Sequence, residues 1–169
     1  MEPMAESQVE LEISRLISGI FIHLDEADRQ LMKRFGLTTT QYWALVHLEN
    51  PEGRSLSELA VLLICDKSNV TSVVDKLEEA GLAERKRGQV RDRRYTRVVL
   101  TKQGQEMRRL AKAARAHIIS TRLHLLGPEA LQQLYQVLQQ LDTLLEAQFA
   151  SGEIPALIEQ AIELNQTLT

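Results

Sequence analysis

A short run of polar side chains, Lys67-Ser68-Asn69 followed by Thr71 and Ser72, is set among Val70, Val73, Val74 and Leu77 at helical spacing. The apolar residues take one face of such a helix, so the polar ones leave from the other. Asparagine can pair bidentately with adenine, serine and threonine reach either base type or a phosphate, and lysine meets guanine or the backbone. Lys76, further along, is placed for a phosphate. A second group lies just beyond. Between Arg85 and Arg97 stand Arg85, Lys86, Arg87, Arg91, Arg93, Arg94 and Arg97 against the single acid Asp92. Asp92 and Arg94 are two positions apart, so in an extended stretch both side chains leave the same side and the carboxylate can orient the guanidinium. An arginine held at a loop tip suits a narrow, electronegative minor groove. Arg93 adds charge beside it.

The chain as a whole is not basic. Its 169 residues carry a formal charge of -3, and from Leu123 onward there are acids but no lysine or arginine. The basic segment is therefore a localised feature able to meet an anion. With 44% hydrophobic, 25% charged and 4% aromatic residues, the composition is that of a helix-rich globular protein. One cysteine, Cys65, excludes an intramolecular disulfide and suits a reducing compartment. Its neighbour Asp66 opposes a reactive thiolate, and a structural role is expected. Met1–Val9 lack the features of a secretory leader and no stretch matches a membrane helix, so a cytoplasmic protein without membrane contact is expected.

Catalysis finds no support. No nucleophile elbow, phosphate-binding glycine loop, zinc-helix motif or carboxylate pair is present. No cofactor is implied. His117 and His124 lie about 10 Å apart along a helix, too far to share one ion, and no metal site is expected.

The elements that must position these groups are mainly helical. A first helix follows Leu11, Ile13, Leu16, Ile17, Ile20, Phe21, Leu24, Ala27 and Leu31 and ends near Gly36. Thr38 with Gln41, and Ser55 with Glu58, have capping-box spacing and open two short helices. Asp66 is the expected N-cap of a fourth, which ends at Gly81. Short helices joined by a tight turn make a helix-turn-helix. The period then changes to two over Leu82–Arg87 and Tyr95–Thr101, a hairpin with a long basic tip, with Val98 and Leu100 on one face and Arg97 and Val99 on the other. Helical stripes return from Met107 to Leu125 and from Leu131 to Phe149, broken at Gly127-Pro128, and a last short helix follows Pro155.

The runs Ser55-Leu56-Ser57-Glu58-Leu59-Ala60, Lys67-Ser68-Asn69-Val70-Thr71, Val74 to Leu82, Arg91-Asp92-Arg93-Arg94 and Val99 to Gly104 together resemble the MarR family of regulators, in the same element order from Leu11 to Phe149. The resemblance implies a mainly α fold with a small β-hairpin wing, a winged helix-turn-helix on a helical dimerisation base. Residues 1–36 would belong to that base, 37–101 form the DNA-binding lobe, 102–150 supply the long dimerisation helices, and 151–169 add a helix beyond the usual end. It further implies a homodimer that binds pseudo-palindromic double-stranded DNA, commonly as a repressor released by a small ligand or an oxidant. By position, Ser68, Asn69, Thr71 and Ser72 face the major groove and Arg94 the minor groove. Many members carry arginine where Ser72 stands here. An effector pocket is implied between base and lobe, where Arg15, His23, Tyr42, Trp43 and His47 offer aromatic and polar groups to a small molecule such as an aromatic effector.

Overall fold

The structure, a computed structural model, describes residues 6–87 and 96–167. In chain order it has α1 (Glu6–Arg34), α2 (Thr39–His47), α3 (Leu56–Leu62), α4 (Lys67–Glu79), β1 (Ala83–Arg87), β2 (Thr96–Leu100), α5 (Lys102–Leu123), a 3-10 turn at His124–Leu126, α6 (Pro128–Ser151) and α7 (Ile154–Thr167). The chain divides into two compact units, Met1–His117 and Ile118–Thr169, with the division inside α5.

In the first unit the helix starts follow their caps. The Thr38 hydroxyl accepts from the Gln41 amide at 3.1 Å while the Gln41 side chain accepts from the Thr38 N–H at 2.7 Å. Ser55 and Glu58 repeat the exchange at 3.2 and 2.6 Å. Each box satisfies two N–H groups that the helix itself cannot. The backbone bond from Ser55 also holds the Glu58 carboxyl below its ordinary pKa. Asp66 occupies the N-cap position of α4 with extended backbone, but its side chain makes no capping bond.

The core forms where these helices meet the hairpin. Met32 of α1, Leu45 and Leu48, Leu59 of α3, Val70, Val74 and Leu77 of α4, and Val98 of β2 are withdrawn from water. Cys65, half-buried, packs against this cluster. The strands pair antiparallel from Ala83↔Leu100 to Arg87↔Thr96. A third partner comes from the segment before α3. Arg54 and Val98 exchange both backbone bonds, at 3.0 and 2.7 Å. Val99 faces away from Val98, as alternation requires, yet it too is buried. Gly53 lies over it so closely that a β-carbon there would stand 2.6 Å from Val99 Cγ1 and 2.4 Å from the Val98 carbonyl oxygen.

A second close approach ties α5 to this lobe. A β-carbon on Gly104 would come within 1.8 Å of the Leu82 carbonyl oxygen. Thr101 completes the junction, its hydroxyl donating to the Gly81 carbonyl at 2.6 Å and accepting from the Gly104 N–H at 3.0 Å.

The second unit is built differently. Gly127, at φ 74°, and Pro128 open α6, and Gly152, at φ 71°, closes it in the left-handed region. No residue of α6 is buried, and Leu138, Leu145 and Phe149 stand exposed along it.

Candidate nucleic-acid interface

The inner face of α4 is held by Val70, Val74 and Leu77, all fully buried. That anchoring leaves Lys67, Ser68, Asn69, Ser72 and Lys76 exposed. Ser68, Ser72 and Lys76 are four residues apart, so they form one row, with Asn69 beside it. Thr71 is half-buried and its hydroxyl donates to the Lys67 carbonyl at 2.9 Å. The N-terminal turn carries the positive end of the helix dipole, and Asp66 makes no side-chain bond there. A polar surface with donors at its N-terminal end can meet base edges and phosphates.

The hairpin shows how the basic run is divided. Arg85 reaches back to α4, with Nη2 2.7 Å from Asp75 and Nη1 bonded to Glu78, whose other oxygen accepts from the Arg85 N–H at 2.8 Å. Lys86 lies 3.0 Å from Glu84. Arg97 donates to the Gly53 carbonyl at 2.8 Å and lies 3.8 Å from Glu58. Arg85 and Arg97 thus hold the hairpin against α4 and the segment before α3, while Lys86 pairs within its own strand. The candidate minor-groove residues Asp92, Arg93 and Arg94 lie outside the described residues.

Of the expected effector residues, three gather on α2. Tyr42 is buried against Trp43, ring centroids 5.2 Å apart, and Trp43 stacks on His47 at 6.3 Å. Burial raises the Tyr42 pKa. It lowers that of His47, with the nearby Arg54 charge acting in the same direction. Arg15 is exposed and bonded to Glu12 at 2.6 and 2.9 Å, and His23 is exposed. Two further residues were not singled out by the sequence. The Arg115 guanidinium of α5 sits 4.9 Å over the Trp43 ring, and its Nε lies 2.9 and 3.0 Å from the two Asp28 carboxylate oxygens of α1. This half-buried pair connects α1, α2 and α5. The readable signal is an acid at Asp28, next to the apolar positions Leu24 and Leu31 on the inner edge of the first stripe. Among the described residues no cluster of His, Cys, Asp and Glu could hold a metal ion, and no helix is long and apolar enough to cross a membrane.

A helix-turn-helix whose second helix exposes a polar face, followed by a two-stranded hairpin, defines a winged-helix protein. Residues 35–94 match the model of the MarR family. The chain is 33% identical over 102 residues to the transcriptional repressor MprA of Escherichia coli K12, an alignment covering 59% of this chain. It spans 57% of the length of that relative. CouR bound to a 23-mer DNA duplex superposes with a TM-score of 0.68 at 26% identity, over 83% of this chain and 99% of CouR. CouR from Rhodococcus jostii RHA1 bound to p-coumaroyl-CoA superposes with a TM-score of 0.63 at 29% identity, over 76% of this chain and 90% of CouR. Over residues 35–94 the chain is thus similar to the MarR family, and the relatives it resembles, MprA and CouR, are transcriptional repressors.

Proposed function

We propose that this chain is a sequence-specific, double-stranded DNA-binding transcriptional regulator, a repressor acting as a homodimer on pseudo-palindromic operators. The observation that carries the reading is the exposed row on α4, with Lys67, Ser68, Asn69 and Ser72 in its first turns and the opposite face locked into the core. MprA, a repressor, and DNA-bound CouR support it. The exposed apolar stripes of α1 and of α6 support the homodimer, because such surfaces call for a partner. Asp92, Arg93 and Arg94 are assigned to the wing contact with the minor groove, and Lys76 to a phosphate. A small effector is assigned to the group around Tyr42, Trp43 and His47, with Arg15 and His23 as further candidate contacts, by analogy with the ligand-bound CouR. The regulator works in the cytoplasm, without catalysis of its own.

A gel shift with the DNA upstream of this protein's own gene, run over a series of salt concentrations, tests the reading. The binding constant falls steeply with salt as phosphate contacts release counterions. Asn69→Ala relaxes sequence preference at one position per half-site, at about 1 to 3 kcal/mol each. A binding constant indifferent to salt would instead mark the lobe as a protein-binding adaptor.

A further inference from the structure

Three helices of the first unit end in the same turn. After α1 the Gly36 and Leu37 N–H groups bond back to the Lys33 and Met32 carbonyls at 3.2 and 3.0 Å; after α4 the Gly81 and Leu82 N–H groups reach Glu78 and Leu77 at 2.9 and 2.8 Å. After α3 the Ile64 and Cys65 N–H groups reach Val61 and Ala60 at 3.2 and 3.1 Å. This paired pattern forces its middle residue into the left-handed region. Gly36 and Gly81 adopt φ 70° and 69° without difficulty, but the third position is Ile64, at φ 49°. Among the described residues it is the one non-glycine at positive φ. A β-branched side chain is poorly tolerated there, so the turn carries local strain.

Among the described residues, nothing packs over the Ile64 side chain itself to offset that strain. Leu63 and Cys65, on either side, pack against the core, whereas Ile64 is 94% exposed. Its position is specific. Ile64 lies two residues before the N-cap of α4 and three to five before the exposed Lys67, Ser68 and Asn69. Val61, 77% exposed and the acceptor of the Ile64 N–H, extends the apolar surface by one helical turn. The polar residues of α4 supply hydrogen-bonding groups to a major groove, and the apolar group that groove presents is the thymine 5-methyl.

We propose that Ile64 is a specificity-determining contact of the interface, its side chain packing on a thymine 5-methyl group in each half-site. The proposal rests on α4 being the DNA-reading helix. It gives a use to the exposed apolar side chain that this turn presents.

The test uses the full chain and the shortest upstream duplex that the wild type retains in the gel shift. Each thymine of that duplex is replaced in turn by deoxyuridine, which removes only the methyl group. Ile64→Gly and Ile64→Asn keep a residue that accepts the left-handed turn but remove the apolar side chain. Both variants are expected to melt at a higher temperature than the wild type and to bind the duplex roughly three- to tenfold more weakly. One deoxyuridine position per half-site is expected to weaken the wild type by a similar factor and to leave both variants unchanged, a coupling that general destabilisation cannot produce. The proposal is overturned if the variants bind as tightly as the wild type. It is equally overturned if no deoxyuridine position matters, or if one weakens wild type and variants alike. A wild type that retains no upstream duplex defeats the functional reading itself, an outcome distinguishable from all of these.

Discussion

From α2 to β2 every element places at least one side chain out of contact with water, while α6, the longest element of the second unit, buries none over 24 residues. Both regions are rich in leucine, so leucine content does not separate them. In the lobe, short elements with different directions surround a common centre and cover one another's apolar faces. In α6 the apolar residues recur along one long helix, and its own unit leaves them exposed. The lobe covers its own apolar faces, and α6 leaves its apolar faces open within its unit, the surface that the proposed homodimer would cover.

That contrast can be broken first at α6. Replacing Leu138 and Leu145 together by glutamate removes apolar burial worth about 2 kcal/mol per leucine wherever a second copy covers them. If α6 forms the proposed homodimer, sedimentation should then show a lighter species than for the wild type, while the far-ultraviolet spectrum is kept. An unchanged mass would remove α6 from the dimer.

Gly104→Ala attacks the other side of the comparison. A β-carbon 1.8 Å from the Leu82 carbonyl oxygen cannot be accommodated without moving backbone, so α5 must separate from the hairpin. Denaturant unfolding should reveal a loss of about 3 kcal/mol or more. An alanine variant as stable as the wild type would mean that this junction yields freely.

A smaller loss is expected for Asp28→Ala, which leaves the Arg115 guanidinium half-buried over Trp43 without its carboxylate. Partial solvent access limits the cost to about 2 kcal/mol. Replacing Asp28 and Arg115 together should recover part of it in a double-mutant cycle. Additive losses would show that the two residues do not act as a pair.

The smallest effect is a pH dependence. His47 has a folded pKa below its ordinary value of 6.5, from burial first and the Arg54 charge second. Between 6.5 and that lower value the unfolded chain binds a proton that the folded chain does not, so stability declines as the pH falls through this window. His47→Gln should flatten that part of the stability profile, and a profile identical to the wild type's would assign the dependence to other groups.

Local chemistry was readable along the chain. The boxes at Thr38–Gln41 and Ser55–Glu58, the helix-ending glycines Gly36 and Gly81, and the break at Gly127-Pro128 all lie where residue type and spacing place them. These devices act within about one turn, so nothing distant can override them cheaply. The polar outer face of α4 was readable for a similar reason, since the helical period separates it from Val70, Val74 and Leu77.

Long-range partners were not readable. The charge count over Arg85 to Arg97 treats all its cations alike, whereas Arg85 belongs to Asp75 and Glu78 of α4 and Arg97 to the Gly53–Glu58 segment. Alternation placed Val99 opposite Val98 but not beneath Gly53. Ile64 gives no local sign of its left-handed backbone, because the residue type argues against it. Its conformation follows from Leu63 and Cys65 both turning inward to the core on either side.

The sequence by itself determined the order of the elements, where most of them begin and end, and the face of α4 left free for recognition, because caps, turns and helical period are local. Only the tertiary structure decided that Arg54 joins the sheet, that Arg115 meets Asp28 over Trp43, and that α5 is locked to the hairpin at Gly104. Those contacts join residues far apart in the chain, and they exist only once the core has brought their elements together.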